Sequence, residues 1–291
     1  MIHSILAKLP RRHKNRLKAV YSTWKARWIS TFRSFGPAEL AASLAKLGLG
    51  HGDSVLVHSE FSPYNGFTGS VGQVTDVFLD TVGPDGNLLM VSLPYLTSSR
   101  EYLKDLKCFD VRKTPSKMGI ASEFFRRRKG VLRSLHPTHP VLALGPKAEW
   151  IVANHEDCIY PCGPGSPFEK LLELGGKVVF FDVEFDAFTY IHHLEHRVRD
   201  QLHFPVYDDE QFEVPVIDRD GNGRLVKTLV FSQQAIRRRR VSDFERRLRR
   251  AGVILRERMG NATILAVELE RVNAHVDEMS RDGVYFYDMS P

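Results

Sequence analysis

No aspartate or glutamate occurs before Glu39, while nine lysines and arginines stand in that stretch. The formal net charge of +6 for the 291 residues therefore hides two unlike parts. Removing those nine leaves 32 of the 41 basic side chains against 35 acidic ones, a body near −3. A body of that sign argues against nucleic-acid binding, which needs its basic patch on the body itself. Cysteine is scarce: Cys108, Cys158 and Cys162 make no disulfide framework, so a reducing, cytoplasmic setting is expected. No run approaches the ~18 consecutive apolar residues of a membrane span. MIHSILAKLPRR places its charges after a short apolar stretch, the reverse of a secretory signal. There is no internal repeat and no low-complexity linker, and neither a Walker loop nor G-x-G-x-x-G occurs.

What is present is a globular composition, 43% hydrophobic and 26% charged, enough for a sizeable core. Residues 13–33 read as a basic amphipathic helix, with Leu17, Val20, Tyr21, Trp24, Trp28 and Phe32 recurring at spacings of three and four. Two destinations are open to that stripe: the headgroup region of an anionic membrane, or protein, its own domain or a second copy. GPAELAASLAKLGLGHGD follows as a helix with Pro37 in its first turn. SVLVHS, NLLMVSLPY, VLALG, KVVFFDV and ATILAVEL read as strands, and SVGQVTDVFLDTVG and GIASEFFRRRKG as helices. A strand, a helix and a strand within about 40 residues form a βαβ unit, hence a parallel sheet. Residues 95–118 read as a polar, irregular flap. Ser242 and Glu245 spell a capping box before DFERRLRRAGVILRERMG, and the arginines 237–240 ahead of it read as a solvated face. The expected fold is a single three-layer α/β domain over 34–291, with a mostly parallel central sheet and helices on both faces, preceded by a basic arm over 1–33.

DAFTYIHHLEHRVRD, residues 186–200, holds the densest chemistry. Read as H-x-x-E-H, His192, Glu195 and His196 spell an inverted-motif zinc peptidase, with Glu268 or Glu270 as distant third ligand. Read as H-H-x-E, His193 stands two residues before a carboxylate that fixes its tautomer and raises its basicity. That pairing requires an extended or turning segment, because on a helix the two diverge by ~200°. SLHPTHPVLALGP brings His136 and His139 around Thr138 just before a strand. HSEFSPYNGFTGSVG sets Ser59 at a strand end, and Thr68, Gly69 and Ser70 at a helix start, whose N–H groups suit a phosphate.

VLVHSEF (55–61), TVGPDGNLLM (81–90), TPSKMG (114–119), RSLHPTHPVLALGP (133–146), GPGSPFEKL (163–171), TYIHHLEH (189–196) and MGNATI (259–264) together resemble the aminoglycoside 3-N-acetyltransferase family, which is distinct from the GNAT fold. The resemblance favours H-H-x-E over the metal spelling, with no metal expected. It implies direct transfer from acetyl-CoA, the co-substrate, to an amine-bearing acceptor. His193 would be the base, Glu195 its partner and His192 their neighbour. His58, Ser59, Thr68, Gly69 and Ser70 would hold the CoA phosphates or pantetheine, with His136, Thr138 and His139 along the thioester. Glu60, Tyr95, Asp186 and Thr189 would face the acceptor. The chain departs from the family pattern at Phe188-Thr189, where Asn-Thr is frequent. The flap carries Lys104, Lys107, Arg112 and Lys113, which suits an anionic, nucleotide- or lipid-linked amino sugar better than a polycation. These features place a surface-polysaccharide or cell-envelope precursor ahead of an aminoglycoside drug. A zinc-dependent hydrolase and an inactive membrane-associated scaffold remain the alternatives. The expected partners are a small amino-sugar acceptor, an anionic membrane surface met by residues 13–33, and a second copy of the chain. The expected place is the cytoplasm, peripheral at the inner face of the cell membrane.

Overall fold

The computed structural model describes residues 11–62 and 64–290, with the backbone alone over 11–20. Leu17 and Val20 of the N-terminal stripe thus lie outside the described side chains. Ten strands are described: β1 Ser54–Ser59, β2 Asn87–Val91, β3 Phe109–Asp110, β4 Leu132–Arg133, β5 Val141–Leu144, β6 Lys177–Phe181, β7 Phe212–Ile217, β8 Gly223–Thr228, β9 Leu255–Met259 and β10 Ala262–Glu268. Seven form the central sheet in the order β4-β5-β2-β1-β6-β10-β9. Its middle is parallel, with β1 flanked by β2 and β6. Both flanks run antiparallel, so the sheet is mixed overall. The connections decide this. The helix Val71–Val82 carries β1 across to β2, whereas Gly260 and Asn261 alone join β9 to β10, a link only an antiparallel pair accepts.

Alternation along the central strands builds the two faces. Val55 and Val57 of β1 pack with Leu40, Leu44 and Phe78 on one side. Leu56 packs with Phe180, Leu194, Phe244 and Val272 on the other. Helices therefore cover both faces, the three-layer arrangement the sequence implies.

Three elements differ from expectation. Residues 95–118 are not irregular: they hold the helix Ser99–Asp105 and β3, which joins β7 and β8 in a second, three-stranded sheet. Leu103, Phe109 and Val111 pack there on Val214, Val216 and Val226, partners about a hundred residues away in the chain. The helix Val241–Arg250 starts one residue before Ser242, without a side-chain cap, because Arg240 N–H bonds Phe286 O and fixes the chain at that point. Leu255–Met259, expected to continue that helix, is instead strand β9.

The N-terminal helix spans Arg11–Phe32. It touches the body through Ser22 on Tyr64, Lys25 over the Tyr64 ring, and Ile29, which is 2% exposed. Two glycines at positive φ, Gly66 and Gly260, receive its end. A Cβ on either would lie 2.2 or 2.1 Å from the Arg33 carbonyl oxygen.

Candidate active site

The helix Ile191–Val198 begins ten residues after β6 ends, at the carboxyl ends of β1, β2 and β6. The β4–β5 turn carrying His136, Thr138 and His139 lies at the same end, since Val141 pairs with Val91 at the end of β2. These ends surround a cleft of about 250 Å³, lined among others by His58, Ser59, Ser122, Asp186, Thr189, His192 and Arg239. The crevice beyond the carboxyl ends of parallel strands is where open α/β sheets hold their ligands.

Of the two imidazoles that line the cleft, His58 and His192, the second is paired with a carboxylate. Its Nδ1 bonds Glu195 Oε2 at 2.7 Å, one helical turn on, and its side chain is 17% exposed. No other hydrogen bond to its ring is found among the described residues. Phe231 lies against one face, with ring centroids 4.4 Å apart. Burial lowers the His192 pKa, and Glu195 opposes that shift.

The expected His193–Glu195 pair is absent, for the reason anticipated in the helical case. His193 sits two positions before Glu195 on a regular helix and points elsewhere. Its Nδ1 donates to Cys162 O at 2.9 Å, and it lines a separate depression with His196 and Arg197. Glu195 pairs with His192 instead.

Glu195 is fully buried. Oε1 accepts from Arg239 Nε at 2.5 Å and from the Tyr287 hydroxyl at 2.5 Å. Oε2 accepts from Arg239 Nη2 at 3.0 Å besides His192. Burial alone would raise this carboxyl, but Arg239 and His192 outweigh it and hold it at about 2. The metal spelling fails on the same contacts. Both Glu195 oxygens are taken, one guanidinium beside them repels a dication, and His196 turns to Tyr207. Among the described residues no group of three His, Cys, Asp or Glu side chains is placed to hold a metal ion.

His58 and Ser59, expected to hold CoA, and Asp186 and Thr189, expected to face the acceptor, all line this one cleft. His58 Nε2 and Ser59 Oγ are buried without a protein partner. Burial lowers the His58 pKa to about 4, so its ring is neutral. His136, Thr138 and His139 form a buried chain behind His192. Thr138 Oγ1 lies 3.0 Å from His139 Nδ1 and 3.2 Å from His136 Nδ1, and the His139 ring meets that of His192 edge-on at 5.4 Å. Tyr95 stacks beside Tyr102 and His139, over a second depression that Glu101, Asp105 and Lys107 also line. Glu60 follows β1 and faces Asp182, which burial and the Glu60 charge raise to about 6. Thr68, Gly69 and Ser70 are not cleft-lining residues. Ser70 caps the helix Val71–Val82 in a reciprocal pair with Gln73.

Arg239 and Tyr287 were not legible as site residues. Arg239 is one of four consecutive arginines, and its burial depends on contacts 44 and more residues away. Met118, Ser122 and Phe231 were likewise unmarked. Only TPSKMG, which ends beside Ser122, could have pointed to two of them.

A family model described as aminoglycoside 3-N-acetyltransferase matches residues 56–280. Aminoglycoside N(3)-acetyltransferase VII of Streptomyces paromomycinus is 33% identical over 181 residues, 56% of this chain and 62% of that protein. Aminoglycoside N(3)-acetyltransferase VIII of Streptomyces fradiae is 31% identical over 183 residues, 57% of this chain and 63% of that protein. The match thus spans less than two thirds of either curated relative. Among solved structures, AAC-IIIb in a binary complex with CoASH is 26% identical with a TM-score of 0.70, over 88% of this chain and 99% of that one. AAC-VIa bound to sisomicin has a TM-score of 0.70 at 23% identity, over 86% of this chain and 99% of that one, a likeness of fold.

Proposed function

The chain belongs to the aminoglycoside 3-N-acetyltransferase family, and on that premise we propose that it transfers the acetyl group of acetyl-CoA to an amine of an amino sugar, with His192 as general base. The observation that carries this is the His192–Glu195 contact of 2.7 Å at a cleft beyond the ends of β1 and β2. The acceptor nitrogen bonds the thioester carbonyl carbon, its proton passes to His192 Nε2, and the C–S bond breaks. The CoA sulfur leaves with the electron pair and is then protonated. Glu195 holds the Nδ1–H tautomer and stabilises the imidazolium that forms.

Two observations support placing CoA in the cleft. His58 Nε2 and Ser59 Oγ are buried there without partners, ready for the polar groups of pantetheine. A structure in the family of comparable fold holds CoASH. The outer, phosphate-bearing half would run toward the helix start at Ser70.

Two charge patterns bear on the acceptor. Arg112 and Lys113 of the flap are turned to Asp110, which weakens the case for an anionic acceptor. Glu60, Asp182, Glu184 and Asp186 stand at or just beyond the ends of β1 and β6, which suits a polycationic amino sugar such as an aminoglycoside. A second reading, a lipid-linked amino sugar of the cell envelope, is favoured by the N-terminal helix. Tyr21, Trp24, Trp28 and Phe32 are 63, 61, 41 and 68% exposed on a strongly basic arm, the composition of an interfacial membrane contact. Among the described residues no helix is long and apolar enough to cross a membrane, so such a contact would be peripheral.

The test is release of CoA thiol from acetyl-CoA against a panel of aminoglycosides and of free and lipid-linked amino sugars. Turnover with one of them is expected. Absence of thiol release with the whole panel would leave the inactive-scaffold alternative in possession.

A further inference from the structure

The helix Arg11–Phe32 carries two adjacent stripes. Ser22, Lys25 and Ile29 meet the body. Ser22 shares a hydrogen bond with the Tyr64 hydroxyl, the Lys25 ammonium stands 5.1 Å over the Tyr64 ring, and Ile29 is buried. Tyr21, Trp24 and Trp28 each precede one of these by a single position, and Phe32 continues their row one turn on. They are therefore turned by ~100° from the body-facing stripe, and all four stay exposed. The Arg33 guanidinium lies over the Trp28 ring at 5.8 Å, so cation and aromatic row share one side of the arm.

The arm joins the body at the end of the sheet that holds the cleft. Phe35 N–H bonds Gly66 O at 3.0 Å and Thr68 N–H bonds Phe35 O at 2.9 Å, a parallel bridge between Phe35 and Phe67. That stretch follows the carboxyl end of β1, whose last residue, Ser59, lines the cleft. Asn261, in the β9–β10 turn, bonds Asn65 O through its backbone and Tyr64 O through its side chain. That turn lies beyond the carboxyl end of β6, since Ile264 pairs with Phe181. The bridge holds the arm in a fixed direction, where a loose tether would let the cleft turn away.

We propose that the arm is a peripheral anchor that sets the mouth of the acetyl-transfer cleft against an anionic lipid surface, so that an amine displayed at that surface is acetylated in preference to the same amine in solution. The proposal rests on the cleft being an acetyl-transfer site. Charge selects the occupant. Nine Lys and Arg precede the first acidic residue, so the arm attracts an anionic headgroup layer and repels a second copy of itself. The side chains select the depth. Tryptophan and tyrosine rest at the headgroup boundary, while the stems of lysine and arginine reach the phosphates beside them. Anchoring raises the local concentration of a lipid-borne acceptor at the cleft without any new contact to its sugar.

Orientation is read without turnover. In a C108S background, where the remaining Cys158 and Cys162 are buried, a fluorophore is placed on R258C or on D85C. Arg258 pairs with Thr263 next to the β9–β10 turn at the cleft end, and Asp85 precedes β2 at the other end. The five steps of β1 alone separate these ends by ~17 Å. With phosphatidylglycerol vesicles carrying an acceptor dye, energy transfer should be stronger from R258C than from D85C. W24E/F32E, which sets carboxylates in the exposed row, should weaken vesicle binding at least ~10-fold and keep wild-type turnover of a soluble amino sugar. The same amino sugar coupled through a spacer to a lipid headgroup should show kcat/KM at least ~10-fold above the soluble form with the full-length protein, and about equal to it with W24E/F32E. No transfer from either label, equal or reversed transfer, or unaltered vesicle binding by W24E/F32E overturns the proposal. So does vesicle binding in the expected order without preference for the coupled acceptor. If W24E/F32E instead converts a dimer to a monomer, the row is a subunit interface and the lipid surface is excluded. Absence of turnover with every amino sugar strikes the transferase reading, and energy transfer still decides the anchor and its orientation.

Discussion

His192 and His193 carry the same ring on consecutive residues, and the helix sends them to different surroundings. Glu195 lies three positions from the first and two from the second, about 60° and 160° apart around the axis. His192 therefore shares its face with Glu195, and His193 meets Cys162 O and Tyr190 instead. Replacing each by alanine separates chemistry from packing. His192→Ala should lower turnover about 10²- to 10⁴-fold, the usual worth of a general base, with CoA affinity by calorimetry nearly intact. His193→Ala should keep most of its turnover and lose thermal stability, because a buried ring and its bond to Cys162 O go. Undiminished turnover in the first variant, at saturating substrate, removes His192 from the mechanism. The pH sign follows from burial. A base must be neutral to act, and burial lowers His192, so activity should persist to a pH below the ordinary imidazole value of about 6.5 and fail beneath that. The motif was legible in the sequence, but its internal pairing was not. That pairing turned on the helix beginning at Ile191, and Arg239 and Tyr287 reach Glu195 across 44 and 92 residues.

At the level of elements, β1, β2, β5, β6 and β10 were readable because burial on both faces leaves continuous apolar runs such as VLV and KVVFF. The flap was not, because Leu103, Phe109 and Val111 look like scattered apolar residues until the β7–β8 pair is known. The capping box of Val71–Val82 has a consequence for ligand binding. Ser70 and Gln73 satisfy each other's N–H groups, which leaves other first-turn donors of that helix for an anion. Ser70 is exposed, so Ser70→Glu should leave the fold intact while setting a carboxylate where a CoA phosphate would approach. Calorimetry should show CoA binding weakened about threefold to tenfold, the scale of one like-charge contact near the surface. Unchanged affinity would put the phosphates elsewhere.

Across the whole molecule, charge is unevenly used, and two consequences follow. The first concerns acid. His58, His136, His139 and His155 are wholly buried, and burial lowers all four, His58 to about 4 and His155 to about 3. The unfolded chain protonates them near pH 6.5, so it binds more protons than the fold below that value. Each such group costs about 1.4 kcal/mol of stability per pH unit in that window. The melting temperature should be flat above about pH 7 and fall steeply between about 6.5 and 4. A flat profile through that range would mean these rings are protonated or solvated in the fold. The second consequence concerns the arm, where nine basic residues precede the first acidic one. Its exposed row of Tyr21, Trp24, Trp28 and Phe32 lies on a different side of the helix from Ile29, which is buried on the body. Deleting residues 1–33 would therefore also remove a core contact, worth about 1.5–3 kcal/mol for a side chain of that size. Substituting only the exposed row, as W24S/W28S/F32S, avoids that loss. The full-length protein should sediment with vesicles rich in phosphatidylglycerol, less so at high salt, and not with neutral phosphatidylcholine vesicles. The triple variant should stay in solution, fold normally and keep its turnover on soluble acceptors. Full-length protein that ignores anionic vesicles overturns the membrane contact. If the triple variant instead changes oligomeric state, the aromatic row is a subunit interface, and the lipid-linked acceptor loses its support while the transferase chemistry stands.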